Sequence, residues 1–449
     1  MNTGDTAWVL ASAALVMLMT PGLAFFYGGM VRRKSVLNML MMNFITLGVV
    51  GVLWMIFGYG EAFGNDAFGG LVGSIRSNAW LNNTIGHLAG SKPDQISLLA
   101  FVMFQLMFAV ITPALISGAI ADRVKFWSWT LFVAIWVVIV YFPVAHWVFS
   151  FDGFTGAGNM GGWIANKLKA FDFAGGTAVH INAGSAGLAL ALLLGKRKKW
   201  PKEQHRPHNV PFVLLGASLL WFGWYGFNAG SALTSGDLAA VAFTTTTVAT
   251  AAAVLAWLVV EQFRDGKPTT LGAASGAVAG LVAITPACGF VNPLGALVIG
   301  LAAGAVCALA VGLKYKLGFD DSLDVVGVHL VGGLLGTILI GFFATISVNP
   351  AGGNGLFYGG GLNQLWRQVV AALAVMTYSF VLSYAIGWVI KKTIGFRVDG
   401  ESEIMGIDEA EHAESAYDFA DTPGGHAQSR PESEPIPAVA TASAKGATS

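Results

Sequence analysis

Apolar stretches of about 20 residues recur along almost the whole chain, separated by short segments that hold most of its charge. A run of that length, wound as a helix, spans a hydrocarbon layer about 30 Å thick. Inside such a layer every backbone N–H and C=O must find a partner in the protein, so only helices and closed barrels can cross it. Barrel strands are short and alternate between apolar and polar residues, and these runs do neither. The chain is also 55% hydrophobic and only 11% charged, far from the balance of a soluble domain. The expected fold is an all-α polytopic membrane protein with about eleven transmembrane helices. They fall near residues 6–28, 36–59, 98–120, 126–149, 174–195, 210–229, 239–262, 270–287, 293–313, 325–346 and 367–390.

Charge orients the spans. Lys and Arg crowd one set of loops, at residues 32–34, 123–125, 196–206, 264–267, 314–316 and 391–397. The opposite set has Arg76, Lys92, Lys167, Lys169 and Arg367. Positive-inside bias then places the N-terminus outside and the C-terminus in the cytoplasm, which requires an odd number of spans. Met1 to Ala7 has no Lys or Arg, so a first span is expected there rather than a secretory signal. Cys288 and Cys307 lie in apolar surroundings and read as packing residues. A formal net charge of zero gives no reason to expect a nucleic-acid partner. Residues 1–398 form the transmembrane domain on this reading, and 399–449 a cytoplasmic tail. The tail is acidic over Glu401 to Glu414, then rich in Pro, Ala, Ser and Thr over 421–449, a composition expected to be disordered.

Two histidines break the apolar pattern. His180 and His329 lie inside spans, and each opens the same spacing: Gly184 and Gly187 after one, Gly333 and Gly336 after the other. An ionisable residue in a membrane span marks a pathway unless it is satisfied locally. The two spans are the fifth of each set of five, and five is odd, so the second set enters from the opposite side. That is the parity of an inverted five-plus-five repeat, and it brings both histidines to the midplane. Two independently satisfied core histidines are the plainer alternative. A neutral pair could hydrogen-bond each other and still offer an edge to a passing molecule. No third ligand of metal-binding type stands at useful spacing in these spans.

Asp172 lies eight residues before His180, where it could stabilise a cation or accept hydrogen bonds from the amides of Gly175, Gly176 and Thr177. The aromatics of Phe104 to Phe108 and Trp224 to Phe227 fall at outer span ends. They could attract a bare cation or close a narrow path, although an interfacial belt is the commoner role. The segments 61–97 and 150–172 read as lids over an outer vestibule or as plain connectors.

Several longer motifs together carry a resemblance. Residues 171–187, Gly226-Phe-Asn-Ala-Gly-Ser231, Thr285-Pro-Ala-Cys-Gly289, Asp324-Val-Val-Gly-Val-His329 and Pro21-Gly-Leu-Ala-Phe-Phe-Tyr-Gly-Gly29 resemble signature motifs of the ammonium transporter (Amt/Mep/Rh) family, in its bacterial Amt branch. The resemblance covers residues 6–417 in order. It implies a homotrimer with one pore per subunit, a multi-pass location in the plasma (inner) membrane, transport of ammonium or ammonia, and no cofactor. It implies that His180 and His329 are the twin pore histidines, that Phe108 and Phe227 form the gate, and that Thr285 is a pore-wall residue. Ser231, Phe108 and Asp172 would build the outer ammonium site. The family's vestibule tryptophan has no simple match: position 149 carries Phe, and Trp163 is the candidate for the role. Gly395-Phe-Arg-Val398 and the acidic segment ending near Tyr417 resemble the region that contacts neighbouring subunits and PII-type regulators.

The expected function is therefore ammonium transport with deprotonation near the gate and passage of ammonia along the histidines, and not enzymatic catalysis. The rivals are an ammonium sensor signalling through its tail and an Rh-like channel for another small neutral gas. Residues 400–449 are too short and polar for an output domain, and Ser231 beside Phe108 argues against the gas channel.

Overall fold

The computed structural model of the chain describes residues 1–202 and 206–417. Eleven apolar helices stand in order: α1 (Thr3–Met30), α2 (Val36–Phe63), α3 (Leu98–Ile120), α4 (Phe126–Phe149), α5 (Gly176–Leu194), α6 (Val210–Gly230), α7 (Asp237–Asp265), α8 (Thr270–Ile284), α9 (Pro293–Leu317), α10 (Val326–Phe343) and α11 (Asn363–Thr393). Among the described residues ten are long and apolar enough to cross a membrane; α8 is shorter, at 15 residues. It ends at Ile284, two residues before Pro286, which has no amide hydrogen to continue the ladder, and residues 285–290 form turns where the sequence suggested helix to residue 287. Side-chain caps start several helices: Asn2, Asn209, Thr269 and Asn292 each accept a first-turn amide. A two-residue hairpin, β1 (Leu88–Ala89) with β2 (Ile96–Ser97), is the strand structure of the long 64–97 connection. The described tail adds two short helices, α12 (Gly400–Met405) and α13 (Ile407–His412).

The first five helices and the next five make matching contacts. α1 lies along α6; α3 packs on α1 as α8 packs on α6, and α2 on α1 as α7 on α6. The start of α10 meets α5 as the start of α5 meets α10. This last crossing explains the repeated glycines. A methyl on Gly184 would stand 2.5 Å from the Leu330 amide nitrogen, and one on Gly333 would stand 3.1 Å from His180 Cβ. Small residues here let two helices approach backbone to backbone.

The bundle has two faces. The N-terminal face carries Asn2, whose amide donates to the Gln95 carbonyl, and Asp5, which accepts from Ser235. The C-terminal face carries most of the charge. Arg197 forks onto Asp320 at 2.9 Å through both Nε and Nη2 and reaches Asp122 at 3.3 Å. Arg123, fully buried, donates to Ser322 Oγ and to the Asp320 carbonyl, both at 2.6 Å. Burial alone would raise the Asp320 carboxyl, but hydrogen bonds from Arg197 and the charges of Arg123 and Arg197 hold it below the usual carboxylate range.

The acidic tail folds onto this face and supplies helix caps from a distance. Asp408 accepts from the amides of Leu37 and Asn38 at the start of α2, and Glu411 from that of Phe126 at the start of α4. A carboxylate at a helix N-terminus satisfies orphan donors and complements the helix dipole. Glu403 takes Arg397 at 2.7 Å. Tyr417 reaches His208 at 2.9 Å. The disorder expected over 421–449 lies outside the described residues.

Overpacking a tight contact costs about 1–3 kcal/mol. Gly184→Val is therefore expected to lower the thermal unfolding midpoint of the detergent-solubilised protein by several degrees. Gly48→Ala, where a methyl meets nothing within 4 Å, is the control and should stay within about 1 kcal/mol of the parent. Equal midpoints for the two variants would show that the α5–α10 crossing tolerates a side chain.

Candidate functional site

The crossing of α5 and α10 sets two imidazoles against each other near the centre of the bundle. Each histidine lies in a π-helical turn, Gly176–Ile181 and Val326–Leu330, where the hydrogen-bond ladder slips from i−4 to i−5. Accordingly the His180 amide donates to the Gly175 carbonyl at 3.0 Å. The two Nδ1 atoms stand 3.3 Å apart, so one ring donates and the other accepts, which a neutral pair can satisfy. Both side chains are almost wholly buried, and His180 Nε2 has no hydrogen-bond partner among the described residues. The His180 ring centroid lies 5.4 Å from that of His329 and 5.5 Å from that of Trp224, to which it is nearly parallel at 17°.

An aspartate holds the start of each histidine helix. Asp172 accepts from the amides of Gly175 and Gly176 at 2.7 Å and Thr177 at 2.8 Å, and from the Thr177 hydroxyl. Burial pushes the Asp172 carboxyl up, and these donors offset part of that rise. Asp321 does the same for α10, accepting from Val325 at 3.1 Å and Val326 at 2.7 Å. Asp172 and Asp321 both precede their histidine by eight residues. Sequence reasoning used the first and missed the second, although the repeated Asp–His spacing was there to be read.

On the N-terminal face a vestibule of about 910 Å³ opens above the pair. Phe108, Phe149, Asp172 and Ser231 all line it. The Ser231 hydroxyl donates to the Phe227 carbonyl at 2.7 Å, which leaves its lone pairs to accept from a donor in the vestibule. Below it the Phe108 and Phe227 rings stack at 4.2 Å between centroids, both about 1% exposed. Phe227 then lines a second space of only 10 Å³, walled by Met19, Leu23, Trp224, Val278 and both histidines among others.

Two expected residues stand elsewhere. Trp163 packs on Trp147 at 5.8 Å and bonds through its amide to Gly70, while Phe149 lines the vestibule, edge-on to Phe108 at 6.3 Å. Thr285 stands one layer behind the histidines. Its hydroxyl accepts from the Trp224 indole at 2.8 Å and donates to the Leu281 carbonyl, fixing the ring on which His180 lies.

Comparison with known proteins identifies the family. The family model of the Ammonium Transporter Family matches residues 7–417. An ammonium transporter of Mycobacterium tuberculosis is 61% identical over 438 residues, covering 93% of this chain and 91% of that protein. One from Bacillus subtilis is 46% identical over 421 residues, covering 93% and 99%. Among solved structures, Mep2 of Candida albicans superposes with a TM-score of 0.80 at 32% identity, covering 94% of this chain and 91% of that one. A protein described as a sensor Amt protein superposes with a TM-score of 0.82 at 29% identity, covering 91% and 98%. The chain belongs to the ammonium transporter family, and its function is ammonium transport across a membrane.

Proposed function

We propose that ammonium gathers in the vestibule, gives up its proton to vestibule water near the Phe108–Phe227 pair, and crosses as ammonia beside His180 and His329. The observation that carries this reading is the change of scale at the stacked rings, from a space of about 910 Å³ to one of 10 Å³. A space of roughly 10–15 Å³ by this measure holds one water-sized molecule, which fits ammonia and excludes an ion with its hydration shell. A bare cation among Met19, Leu23 and Val278 would lose its water with few ligands in exchange, an expense of several kcal/mol. Ammonia needs only hydrogen bonds there, and the orphan Nε2 of His180 is a partner within the same space. Potassium has no neutral form to take, so the same constriction separates the two.

Outside the constriction, Ser231 accepts a hydrogen bond from the arriving ion, and the faces of Phe108 and Phe149 attract its charge by about 0.5–1 kcal/mol each. Asp172 supports the site by fixing the loop before α5. The N-terminal face is taken as the outside and the C-terminal face as the cytoplasm, as loop charge dictates. The protein is taken as a plasma-membrane homotrimer with a pore in each subunit. The docked acidic tail offers the cytoplasmic surface on which a PII-type regulator would act. A sensor would share every one of these pore residues, and the likeness to a sensor Amt protein keeps that second reading in view.

The deciding measurement is ammonium-evoked current from proteoliposomes on a solid-supported membrane. His180→Ala/His329→Ala should lower the current ~10-fold or more, the effect of losing about 1.4 kcal/mol of stabilisation at the barrier. Potassium should evoke none from either protein. An unchanged current in the double variant would refute the histidine path, and no ammonium response from well-folded wild type would favour the sensor.

Asp172 has its own test. If it serves as a cap, Asp172→Ala should lose about 1–3 kcal/mol of stability through orphaned amides. Asp172→Asn, which keeps one acceptor oxygen, should retain a half-saturating ammonium concentration within about twofold of wild type. A large rise in that concentration without lost stability would show direct contact with the cation.

A further inference from the structure

Three spaces follow one another from the histidines to the C-terminal face. The 10 Å³ space shares Val278 and His329 with a second one of 30 Å³. That one shares Met30, Leu271, Leu323 and Asp324 with a cleft of 260 Å³ on the C-terminal face. Apart from His329, the walls of the 30 Å³ space are apolar or hydroxyl-bearing until Asp324. Asp324 is therefore the first charged group met on the way out.

Its setting is unusual. The backbone of Asp324 is left-handed, with φ 64°, and its carbonyl accepts the Val328 amide at 2.9 Å, which fixes it to the start of α10 five residues before His329. Among the described residues the carboxylate has one close cationic partner, the ammonium group of Lys314, with Nζ 2.7 Å from Oδ1. Lys314 divides its ammonium donors, since the same Nζ also donates to the Asp321 carbonyl at 2.9 Å. The neighbouring charges are committed elsewhere: Asp321 to the amides of Val325 and Val326, and Arg197 to Asp320 and Asp122. The Asp324 side chain is 37% exposed and that of Lys314 9%, so the carboxylate faces the cleft while its partner sits behind it.

A primary ammonium group and the ammonium ion are the same kind of donor: compact, singly charged and tetrahedral. A carboxylate held by one can be held by the other. From this geometry we propose that Asp324 is an inner ammonium site, where transported ammonia takes a proton from water entering the cleft and leaves the pore as the ion. Lys314 is a tethered competitor that displaces the ion into the cleft and keeps the site from filling. The choice of lysine fits the role, because an arginine would clamp the carboxylate with two parallel bonds and a lysine holds it as an exchangeable point charge. The inference rests on the reading that nitrogen passes the histidine pair.

The test is uptake of 15N-ammonium into right-side-out membrane vesicles preloaded with graded unlabelled ammonium chloride. Without the tethered competitor, inner ammonium should occupy Asp324 more readily and oppose uptake. In Lys314→Met the internal concentration that halves uptake should fall about tenfold. In Asp324→Asn it should rise at least as much, with the external half-saturating concentration within about twofold of wild type in both. Equal half-inhibitory concentrations in wild type and both variants would overturn the proposal. Should Lys314→Met fail to fold for want of its bond to the Asp321 carbonyl, Lys314→Arg takes its place and should raise the half-inhibitory concentration. A pore reading that is wrong shows itself differently, as uptake that survives in the double histidine variant.

Discussion

The bundle depends on how closely α5 and α10 cross. With Gly184 beside the Leu330 amide and Gly333 beside His180, the two backbones stand nearer than any pair of larger residues allows. That approach puts two imidazoles in hydrogen-bond contact in the middle of a span, where neither could find water. The same crossing accounts for features that look unrelated along the chain. A π turn in each helix turns its histidine toward the other, and each turn leaves amides at the helix start that Asp172 and Asp321 take up. Remove the small residues and the pair, the turns and the caps lose their reason together.

The proposed passage through this centre turns on what can be left unpaired. A stacked pair of phenyl rings separates a wide polar vestibule from a space of one small molecule, and the walls beyond are mainly aliphatic. Charge is penalised there more heavily than a neutral donor and acceptor, and on the function proposed here that difference selects a species able to shed a proton. Trp224 has a part in this: Thr285 locks its indole, the indole supports His180, and the imidazole edge keeps its place without water.

Most of the charge lies on the C-terminal face, where it works as structural cement. Arg123 and Arg197 join the end of α3, the loop after α5 and the loop before α10 through Asp122 and Asp320. Breaking one partner of such a buried pair costs about 3–5 kcal/mol, because the other charge is left stranded. The acidic tail extends the pattern by capping α2 and α4, so its composition reflects the helix starts it covers.

Most of the architecture was legible in one dimension. Apolar length and loop charge specified a helical membrane bundle, because the bilayer leaves the chain few alternatives. The repeated spacing after His180 and His329 marked the pair, since a buried ionisable group needs a cause. Other features had no local signature. Position 163 offers a tryptophan and position 149 a phenylalanine, and only packing decides which ring meets the vestibule. Thr285 sits in a recognisable motif, yet whether it lines the path or holds Trp224 depends on a contact across 61 residues. The pairing of Lys314 with Asp324 joins the end of one helix to the loop before the next, at a seam between two spaces. The sequence by itself determined which segments enter the membrane and which residues need a partner there, because hydrophobicity and burial of charge act residue by residue. Tertiary structure decided which partners they have, because distance and the shape of an enclosed space belong to no single segment.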